Sequence, residues 1–261
     1  MSSRKGLRQR VVVLDSVLRS REHLRRAIRA LGHAPLVFEA LEELTPLRGM
    51  ESRCSMMCLG LPPTHIDRHT WIQKARGAVG PKVPVLFLAR ENLLKALQTL
   101  SGVEGDSVLV APSSFAEVYN GLGEFMAQHG IPTVDDGLTW DPYVFLPSLE
   151  SVMVDGAEIR LRPLEFELAL EFFHNVDRVL SRDWLRAMTS GMVTDPSGRW
   201  IDTSVARLRA LLGLAPFRGS EWRLSNVRYA GYRLSRSQDK KHSKALAAAS
   251  RQPQQWLESS P

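Results

Sequence analysis

The sequence predicts two domains: an N-terminal α/β domain built on a doubly wound, five-stranded parallel sheet, and a smaller C-terminal α+β domain. Three observations support this prediction. Five short apolar runs alternate with helical patterns in the first half of the chain. Turn-forming residues fill 129–141, which is typical of a linker. The length of 261 residues also exceeds the usual size of a single domain.

The first half predicts strands and helices in strict alternation. Short apolar or β-branched runs predict strands at 11–14, 33–38, 55–61, 83–88 and 107–110. Apolar residues at helical spacing predict helices at 20–31, 41–47, 68–78, 93–100 and 115–128. Strands joined through helices pair in parallel, and the helices then cover both faces of the sheet.

The second half has a different pattern. Three short strands are predicted at 143–146, 151–154 and 158–161, followed by helices starting at Pro163, at Ser181 and at Trp200, and by a closing hairpin of 222–227 and 231–234. Beyond it the chain is polar, and we expect it to be disordered. The predicted boundaries are 1–128 for the first domain, 129–141 for the linker, 142–236 for the second domain and 237–261 for the tail.

The predicted helix at 200–212 has two contrasting faces. One face is an apolar stripe of Ile201, Val205, Leu208 and Leu212, spaced four, three and four residues apart. The opposite face carries Arg199, Thr203, Ala206, Arg207 and Ala210, with Arg209 at its flank. The apolar stripe can hold such a helix on its domain, and the opposite face has small side chains between arginines. A helix of this kind fits the DNA major groove. An ordinary surface helix with solvated arginines would give the same pattern.

The distribution of charge favours a nucleic-acid partner. The net charge is +6, yet residues 129–235 hold 12 basic and 14 acidic side chains. Residues 199–236 alone hold eight arginines and two acidic side chains, Asp202 and Glu221. A concentrated basic stripe is the footprint of a protein that binds the phosphate backbone. The apolar runs are too short for a membrane span or a signal peptide, so we expect a cytoplasmic protein, and two cysteines argue against a disulfide framework.

Four blocks of the second half resemble the winged-helix effector domain of OmpR/PhoB-type response regulators. They are 161–168, 178–185, 199–213 and 227–234, and the similarity runs over about 143–235. It implies that the helix at 200–212 is the recognition helix. It also implies contacts to bases or phosphates from Arg199, Ser204, Arg207 and Arg209, and a minor-groove contact from Arg228 in the wing.

Two departures from the family pattern affect these expectations. Arg162 replaces the usual threonine cap, which predicts a weaker start of the first helix. The wing reads Tyr229-Ala-Gly-Tyr232 instead of Gly-x-Gly-Tyr. Because the outer face of the recognition helix is otherwise small, we expect Arg207 to be the best candidate for bidentate contact with guanine, with a phosphate contact as the alternative.

The first half is similar to the matching receiver domain, but its phosphorylation pocket is degenerate. The family needs paired acids, a phosphoacceptor aspartate, a hydroxyl and a lysine. The corresponding positions, spaced 43, 31 and 22 residues apart from Asp15 onward, are Asp15-Ser16, Cys58, Ala89 and Ala111. A single remaining carboxylate holds Mg²⁺ poorly, and a thiol cannot form the acyl phosphate. The sequence therefore predicts no aspartyl phosphorylation, no metal and no cofactor.

Cys58 leaves one alternative open. It lies near His65, Asp67 and His69 in sequence, as a thiol sensor or a metal site would require. The other interpretation, which we favour, is that Cys58 is a small buried apolar residue and that both histidines lie in an exposed loop.

Together these patterns predict a DNA-binding transcription regulator of two-component descent that works without phosphorylation. The sequence contains no arrangement of catalytic residues, so we do not expect an enzyme. The partners expected are promoter DNA and a second copy of the chain, with RNA polymerase or another regulator as further candidates. The last receiver helix lacks basic residues, so a dimer through it would be apolar and use Val118, Leu122, Phe125 and Met126, unless this stripe is simply the inner face of the helix. The alternatives are an interaction adaptor and a thiol- or metal-responsive regulator at Cys58.

Overall fold

The structure, a computed structural model, describes most of both predicted domains. The described residues are 8–47, 54–62, 66–89, 106–110, 114–134, 138–189, 192, 198–216 and 221–237. Within them, no helix combines the length and the apolar character that crossing a membrane would require.

The N-terminal domain is built on a five-stranded parallel sheet, as predicted. Its strands are β1 (Arg10–Leu14), β2 (Ala34–Phe38), β3 (Cys54–Gly60), β4 (Val85–Ala89) and β5 (Ser107–Val110). They are ordered β2-β1-β3-β4-β5, the doubly wound arrangement in which the strand order reverses beside β1. The carboxyl ends of β1, β3 and β4 therefore meet at one edge of the sheet.

Helices cover both faces of this sheet. Helices α1 (Leu18–Ala30) and α3 (Phe115–Gln128) pack on one face, and α2 (Arg68–Val79) packs on the other. The predicted helix at 41–47 is instead a 3₁₀ segment, Leu41–Leu47. A seven-residue stretch that includes Pro46, which has no backbone N–H, forms few α-helical hydrogen bonds. The predicted helix at 93–100 lies outside the described residues.

The C-terminal domain begins with a four-stranded antiparallel sheet, β6-β7-β8-β9. The strands are β6 (Thr139–Trp140), β7 (Tyr143–Leu146), β8 (Ser151–Val154) and β9 (Ala157–Arg160). Strand β6 falls within the predicted linker. Sequence patterns did not reveal it because contacts with distant residues hold it in place: the centre of the Trp140 ring lies 5.4 Å from that of Phe145 and 5.6 Å from that of Phe173.

Three helices and a second sheet complete the domain. The helices are α4 (Pro163–His174), α5 (Arg182–Met188) and α6 (Arg199–Leu211), and the sheet has the order β10-β12-β11. Its strands are β10 (Val179–Leu180), β11 (Trp222–Val227) and β12 (Gly231–Arg236). The sequence did not predict β10, which has only two residues. An added Cβ at Gly231 would lie 2.0 Å from the Leu180 carbonyl oxygen, so glycine permits this close pairing.

The two domains are closely packed. One cluster of buried apolar side chains extends from the α1 and α3 face of the parallel sheet into the core of the C-terminal domain. Helix α3 also contacts the 3₁₀ turn Pro147–Leu149, where the Ser148 hydroxyl donates to the Asn120 side chain at 2.7 Å. The backbone N–H of Val134 donates to the Leu31 carbonyl at 3.1 Å, which ties the start of the linker to the end of α1.

Candidate functional site

Helix α6 has the two faces predicted for it. Ile201, Val205, Leu208 and Leu212 are each at most 2% exposed and form the side that packs on the domain. The side facing solvent carries Arg199, Asp202, Thr203, Ala206, Arg207 and Ala210. A cationic surface with small side chains between the arginines is therefore present on the protein.

Arg207 is anchored at its base by a buried carboxylate. Its Nε lies 2.5 Å from Oε1 of Glu165, whose side chain is 4% exposed, whereas the Arg207 side chain is 45% exposed. The other oxygen of Glu165 accepts a hydrogen bond from the Arg162 N–H at 3.1 Å. The Arg162 side chain itself accepts no capping hydrogen bond, as the loss of threonine predicts, so Glu165 supplies only the reciprocal bond of a capping box, and it also holds the direction of Arg207.

Two of the residues predicted from the family resemblance lie elsewhere. Ser204 is only 7% exposed and lies on the buried side of α6, so its side chain does not belong to the outer surface. Arg209 is half-buried, and its Nε donates to the Leu224 carbonyl of β11 at 2.7 Å. It joins helix α6 to strand β11. Thr203 is exposed, and its hydroxyl donates to the Arg199 carbonyl at 3.3 Å.

An acidic residue on α6 organises the surface around it. Asp202 accepts hydrogen bonds from the Tyr232 hydroxyl and from Arg182 Nη2, the latter at 2.8 Å. The Arg182 guanidinium also lies 5.2 Å from the centre of the Tyr232 ring. The hydrogen bonds from Tyr232 and Arg182 lower the pKa of Asp202, although partial burial opposes them. This network ties α5, α6 and β12 together.

Sequence patterns missed Arg182 and Asp202 as members of this network. The one available signal was an isolated acid on an otherwise cationic helix face.

The wing ends in two exposed residues, Arg228 and Tyr229, in the turn between β11 and β12. Arg228 Nη2 donates to the Tyr229 hydroxyl at 2.7 Å, and the guanidinium lies 4.7 Å from the ring centre. The resemblance implies a minor-groove contact from Arg228, and the side chain is exposed as such a contact requires.

The residues predicted to form a degenerate receiver pocket lie, where the structure describes them, at the carboxyl edge of the parallel sheet. Asp15, Cys58 and Ala89 are all buried, at most 5% exposed, whereas Ser16 is exposed. Ala111 lies outside the described residues. Cys58 is the residue that the resemblance aligns with the phosphoacceptor aspartate, and its side chain carries no acidic group.

The Asp15 carboxylate is engaged locally. It accepts a hydrogen bond from the Val17 N–H at 2.8 Å and packs over Gly60, where an added Cβ would lie 2.3 Å from its Cγ. Burial raises the pKa of Asp15, and hydrogen bonds from Ser20 and Val17 only partly oppose the rise. The Asp15 side chain is therefore already engaged by groups of its own domain.

Cys58 has the environment of a core residue. Its side chain is fully buried in the cluster between the sheet and helices α1 and α3. Burial, together with the neighbouring Asp15 carboxylate, raises the pKa of the Cys58 thiol far above its ordinary value. The thiolate, which is the reactive and metal-binding form, is therefore strongly disfavoured.

The neighbouring residues give no support to a metal site at Cys58. Asp67 caps α2 by accepting from the His69 N–H at 3.1 Å, and His69 is exposed. Across the described ranges, no group of three or more His, Cys, Asp or Glu side chains could hold a metal ion, and His65 lies outside those ranges. A cavity of about 460 Å³ nearby is lined by residues that include Ser16, Gly60, Trp71 and Lys74, but not by Cys58.

The apolar stripe of α3 cannot form the expected dimer contact. Val118, Leu122, Phe125 and Met126 are each at most 2% exposed, because they are the inner face of the helix. The prediction of a dimer through these four residues is therefore wrong, and the alternative weighed beside it is confirmed.

Five charged or ionisable side chains, which we call the domain clamp, join the two domains in their buried interface. They are Arg19, His23 and Arg26 of α1 with Glu167 and Glu171 of α4. Arg26 Nη1 lies 2.5 Å from Glu171 Oε2, and His23 Nε2 lies 3.0 Å from Glu167 Oε2. Arg19 Nη2 lies 3.8 Å from Glu167 Oε1.

Neighbouring groups complete the hydrogen bonding of the domain clamp. The Phe115 N–H, at the start of α3, donates to Glu167, and Trp184 Nε1 of α5 donates to Glu171 at 2.7 Å. Burial alone would raise the pKa of Glu167, but His23, the Phe115 N–H and Arg19 hold it below its ordinary value. The sequence signal was two complementary stripes: Arg19, His23 and Arg26 at helical spacing, and Glu167 and Glu171 four residues apart.

Comparisons with known proteins agree with this architecture. The family described as "Transcriptional regulatory protein, C terminal" matches residues 156–234. The probable transcriptional regulatory protein TcrX of Mycobacterium tuberculosis is 32% identical over 104 residues, which are 39% of this chain and 44% of TcrX. The alignment thus spans less than half of that relative.

Two solved structures are similar as well. One is response regulator DrrB, an OmpR/PhoB homologue from Thermotoga maritima (19% identity, 88% of this chain and 100% of that chain, TM-score 0.36). The other is the DNA-binding domain of Klebsiella pneumoniae RstA in complex with the RstA box (24% identity, 37% of this chain and 94% of that chain, TM-score 0.32).

The family match lies within the winged-helix domain, which is thus similar to the C-terminal domains of transcriptional regulatory proteins.

Proposed function

We propose that the chain is a sequence-specific regulator of transcription that binds double-stranded DNA without control by aspartyl phosphorylation. The single observation that carries this proposal is the pairing of an exposed cationic helix, α6, with a receiver-like pocket in which Asp15 is the one acidic group left at the positions that the resemblance aligns with the phosphorylation site. The first feature supports binding to DNA, and the second removes the usual switch.

In this proposal the DNA-contacting residues are Arg199, Thr203 and Arg207 of α6 and Arg228 of the wing. We no longer propose Ser204 as a DNA contact, because its side chain is buried. Arg209 instead supports the DNA-binding surface by joining α6 to β11. Glu165 holds the Nε end of Arg207 and thereby reduces the freedom that the guanidinium loses on binding. Such an arginine is suited to bidentate contact with guanine.

The relation between the domains supports control without phosphate. The domain clamp and the shared apolar core fix the C-terminal domain on the receiver-like domain, while the outer face of α6 and the wing tip stay exposed. The arrangement therefore leaves the proposed DNA surface open, and no covalent modification is needed to uncover it.

Partners other than DNA follow from the resemblance alone. We still predict a homodimer through the receiver-like domain, but not one that uses the buried apolar stripe of α3. RNA polymerase and another regulator are further predicted partners. We place the domain boundaries at 1–128, 129–138 and 139–236, since β6 pairs with β7 inside the C-terminal sheet.

The test is selection of duplexes by the full chain from a random-sequence DNA library, followed by titration at about 150 mM salt, where weak backbone attraction fades. We expect one enriched sequence to bind specifically. Arg207→Ala should weaken that binding by about 10- to 100-fold, since a bidentate guanine contact contributes about 1–3 kcal/mol.

The matched control is Arg160→Ala, which removes an arginine that is 82% exposed on β9. Its affinity should match that of the unmodified chain. Failure to enrich any sequence, or equal losses for both variants, would contradict the proposed function and favour an adaptor role.

A further inference from the structure

The tip of the wing has an unusual backbone conformation. The turn between β11 and β12 consists of Arg228, Tyr229 and Ala230, closed by a hydrogen bond from the Ala230 N–H to the Val227 carbonyl at 3.0 Å. Tyr229, the second central residue of this turn, has a φ of +61°. Glycine or asparagine is the usual residue there, because a Cβ strains this conformation.

The fold gives Tyr229 no compensating contact with the domain core. Its side chain is 90% exposed, the highest value among the exposed large hydrophobic residues of the described chain. A strained backbone that persists with an exposed aromatic side chain points to a role outside the folded domain itself.

The tyrosine instead holds its neighbour. The Arg228 guanidinium lies 4.7 Å from the Tyr229 ring centre and donates to the Tyr229 hydroxyl at 2.7 Å. Both side chains are exposed. They present one cationic plane and one aromatic plane, already arranged, at the end of a hairpin.

The wing and the recognition helix are parts of one rigid surface. Arg209 of α6 bonds to β11, and Asp202 of α6 bonds to Tyr232 of β12. A duplex bound along α6 therefore meets the wing tip in a fixed position. Its phosphates and groove acceptors suit the guanidinium, and the apolar face of a deoxyribose suits the aromatic ring.

We propose that Tyr229 is a DNA contact that increases affinity: it positions Arg228 and packs against a deoxyribose beside the site read by α6. This inference rests on the proposed function, because it assumes that a duplex lies along α6. Pre-arranging Arg228 lowers the ordering that binding requires, which increases affinity.

The proposal is tested with Tyr229→Gly in the full chain, using the duplex selected from the random library. Glycine relieves the backbone strain, so the Tm should rise by about 2–4 °C. The same substitution should weaken binding to that duplex by about tenfold. A residue with only a structural role would lower stability on removal, so opposite changes in stability and affinity separate the two roles.

Two further variants sharpen the result. Asp155→Gly relieves a similar strain, at a φ of +49° in the turn between β8 and β9, and should raise the Tm without any loss of affinity. Tyr229→Phe keeps the ring and should keep most of the affinity. In the cycle of Arg228→Ala, Tyr229→Gly and their double variant, the losses should be less than multiplicative, because the tyrosine acts partly through the arginine.

Three results would overturn the inference. They are unchanged affinity for Tyr229→Gly, a lower Tm for that variant, or strictly multiplicative losses in the cycle. If the full chain enriches no duplex from the library, the proposed function itself fails, and the inference fails with it.

Discussion

At the scale of single residues, three positions that the resemblance aligns with a phosphorylation pocket, Asp15, Cys58 and Ala89, are buried. Cys58 and Ala89 are buried apolar groups, and Asp15 is a buried acid that bonds to its own helix start. A carboxylate kept for Mg²⁺ would need neighbouring oxygen ligands, and Cys58 and Ala89 supply none. Asp15 is therefore expected to weaken the fold at neutral pH.

This expectation gives a test with Asp15→Asn. The pKa of Asp15 is raised in the folded state, so protonation of this carboxyl contributes stability to the folded protein at low pH. That contribution is lost as the pH rises through the raised pKa, because the buried carboxyl then becomes charged. Asparagine avoids the buried charge and can still accept from the Val17 N–H. We expect a higher Tm than that of the unmodified chain at pH 7, with the difference shrinking towards pH 4. Lower stability at pH 7 would contradict this account of Asp15.

The Cys58 thiol is expected to be unreactive in the folded protein, because burial and the Asp15 carboxylate raise its pKa. Labelling by a thiol reagent at pH 8 can be followed in Cys54→Ser and Cys58→Ser, each of which keeps one cysteine. Cys54 is only half-buried and should react first, whereas Cys58 should react only after denaturant is added. Rapid labelling of Cys58 in the native protein would revive the thiol-responsive alternative.

Residue patterns predicted some contacts and missed others for a clear reason. The apolar stripe of α6 follows from local spacing, and it is found as predicted. The ion pair between Glu165 and Arg207 joins positions 42 residues apart, and no periodicity reveals it. Family resemblance placed Ser204 at the DNA surface, but only tertiary packing decides which side of the helix a residue buries.

At the scale of elements, the strands of the parallel sheet were predictable because each is a compact apolar run. Strands β6 and β10 could not be predicted, because each has only two residues, too few to show an alternating hydrophobic pattern. Their pairing also depends on distant partners. Ranges outside the described residues, including the predicted helix at 93–100, stay predictions.

The pairing of α1 with α4 is the element-scale feature with the largest expected energetic effect. Arg26→Ala should leave Glu171 buried without its cation, which costs about 3–5 kcal/mol in the free energy of unfolding. The matched control is Arg25→Ala on the same helix, because the Arg25 side chain is 29% exposed and its guanidinium pairs with Glu22 within α1. That control should cost about 0–1 kcal/mol.

Denaturant titration of both α1 variants measures the difference. Equal and small losses would show that the domain clamp contributes little to the arrangement of the domains.

At the scale of the whole molecule, the domain clamp and the continuous apolar core make the receiver-like domain a fixed support for the DNA-binding surface. On the proposal that phosphorylation does not switch this molecule, the amount of protein, a partner or dimerisation would control its binding to DNA. The complementary stripes of α1 and α4 are present in the sequence, yet only the packed structure brings them together.

The central claim is tested most directly by the Kd of the full chain for its selected duplex, with and without acetyl phosphate and Mg²⁺. A response regulator with an intact acidic pocket serves as the positive control for phosphorylation. We predict no labelling of the chain and the same Kd under both conditions. Incorporation of phosphate into the receiver-like domain together with a changed Kd would contradict the account.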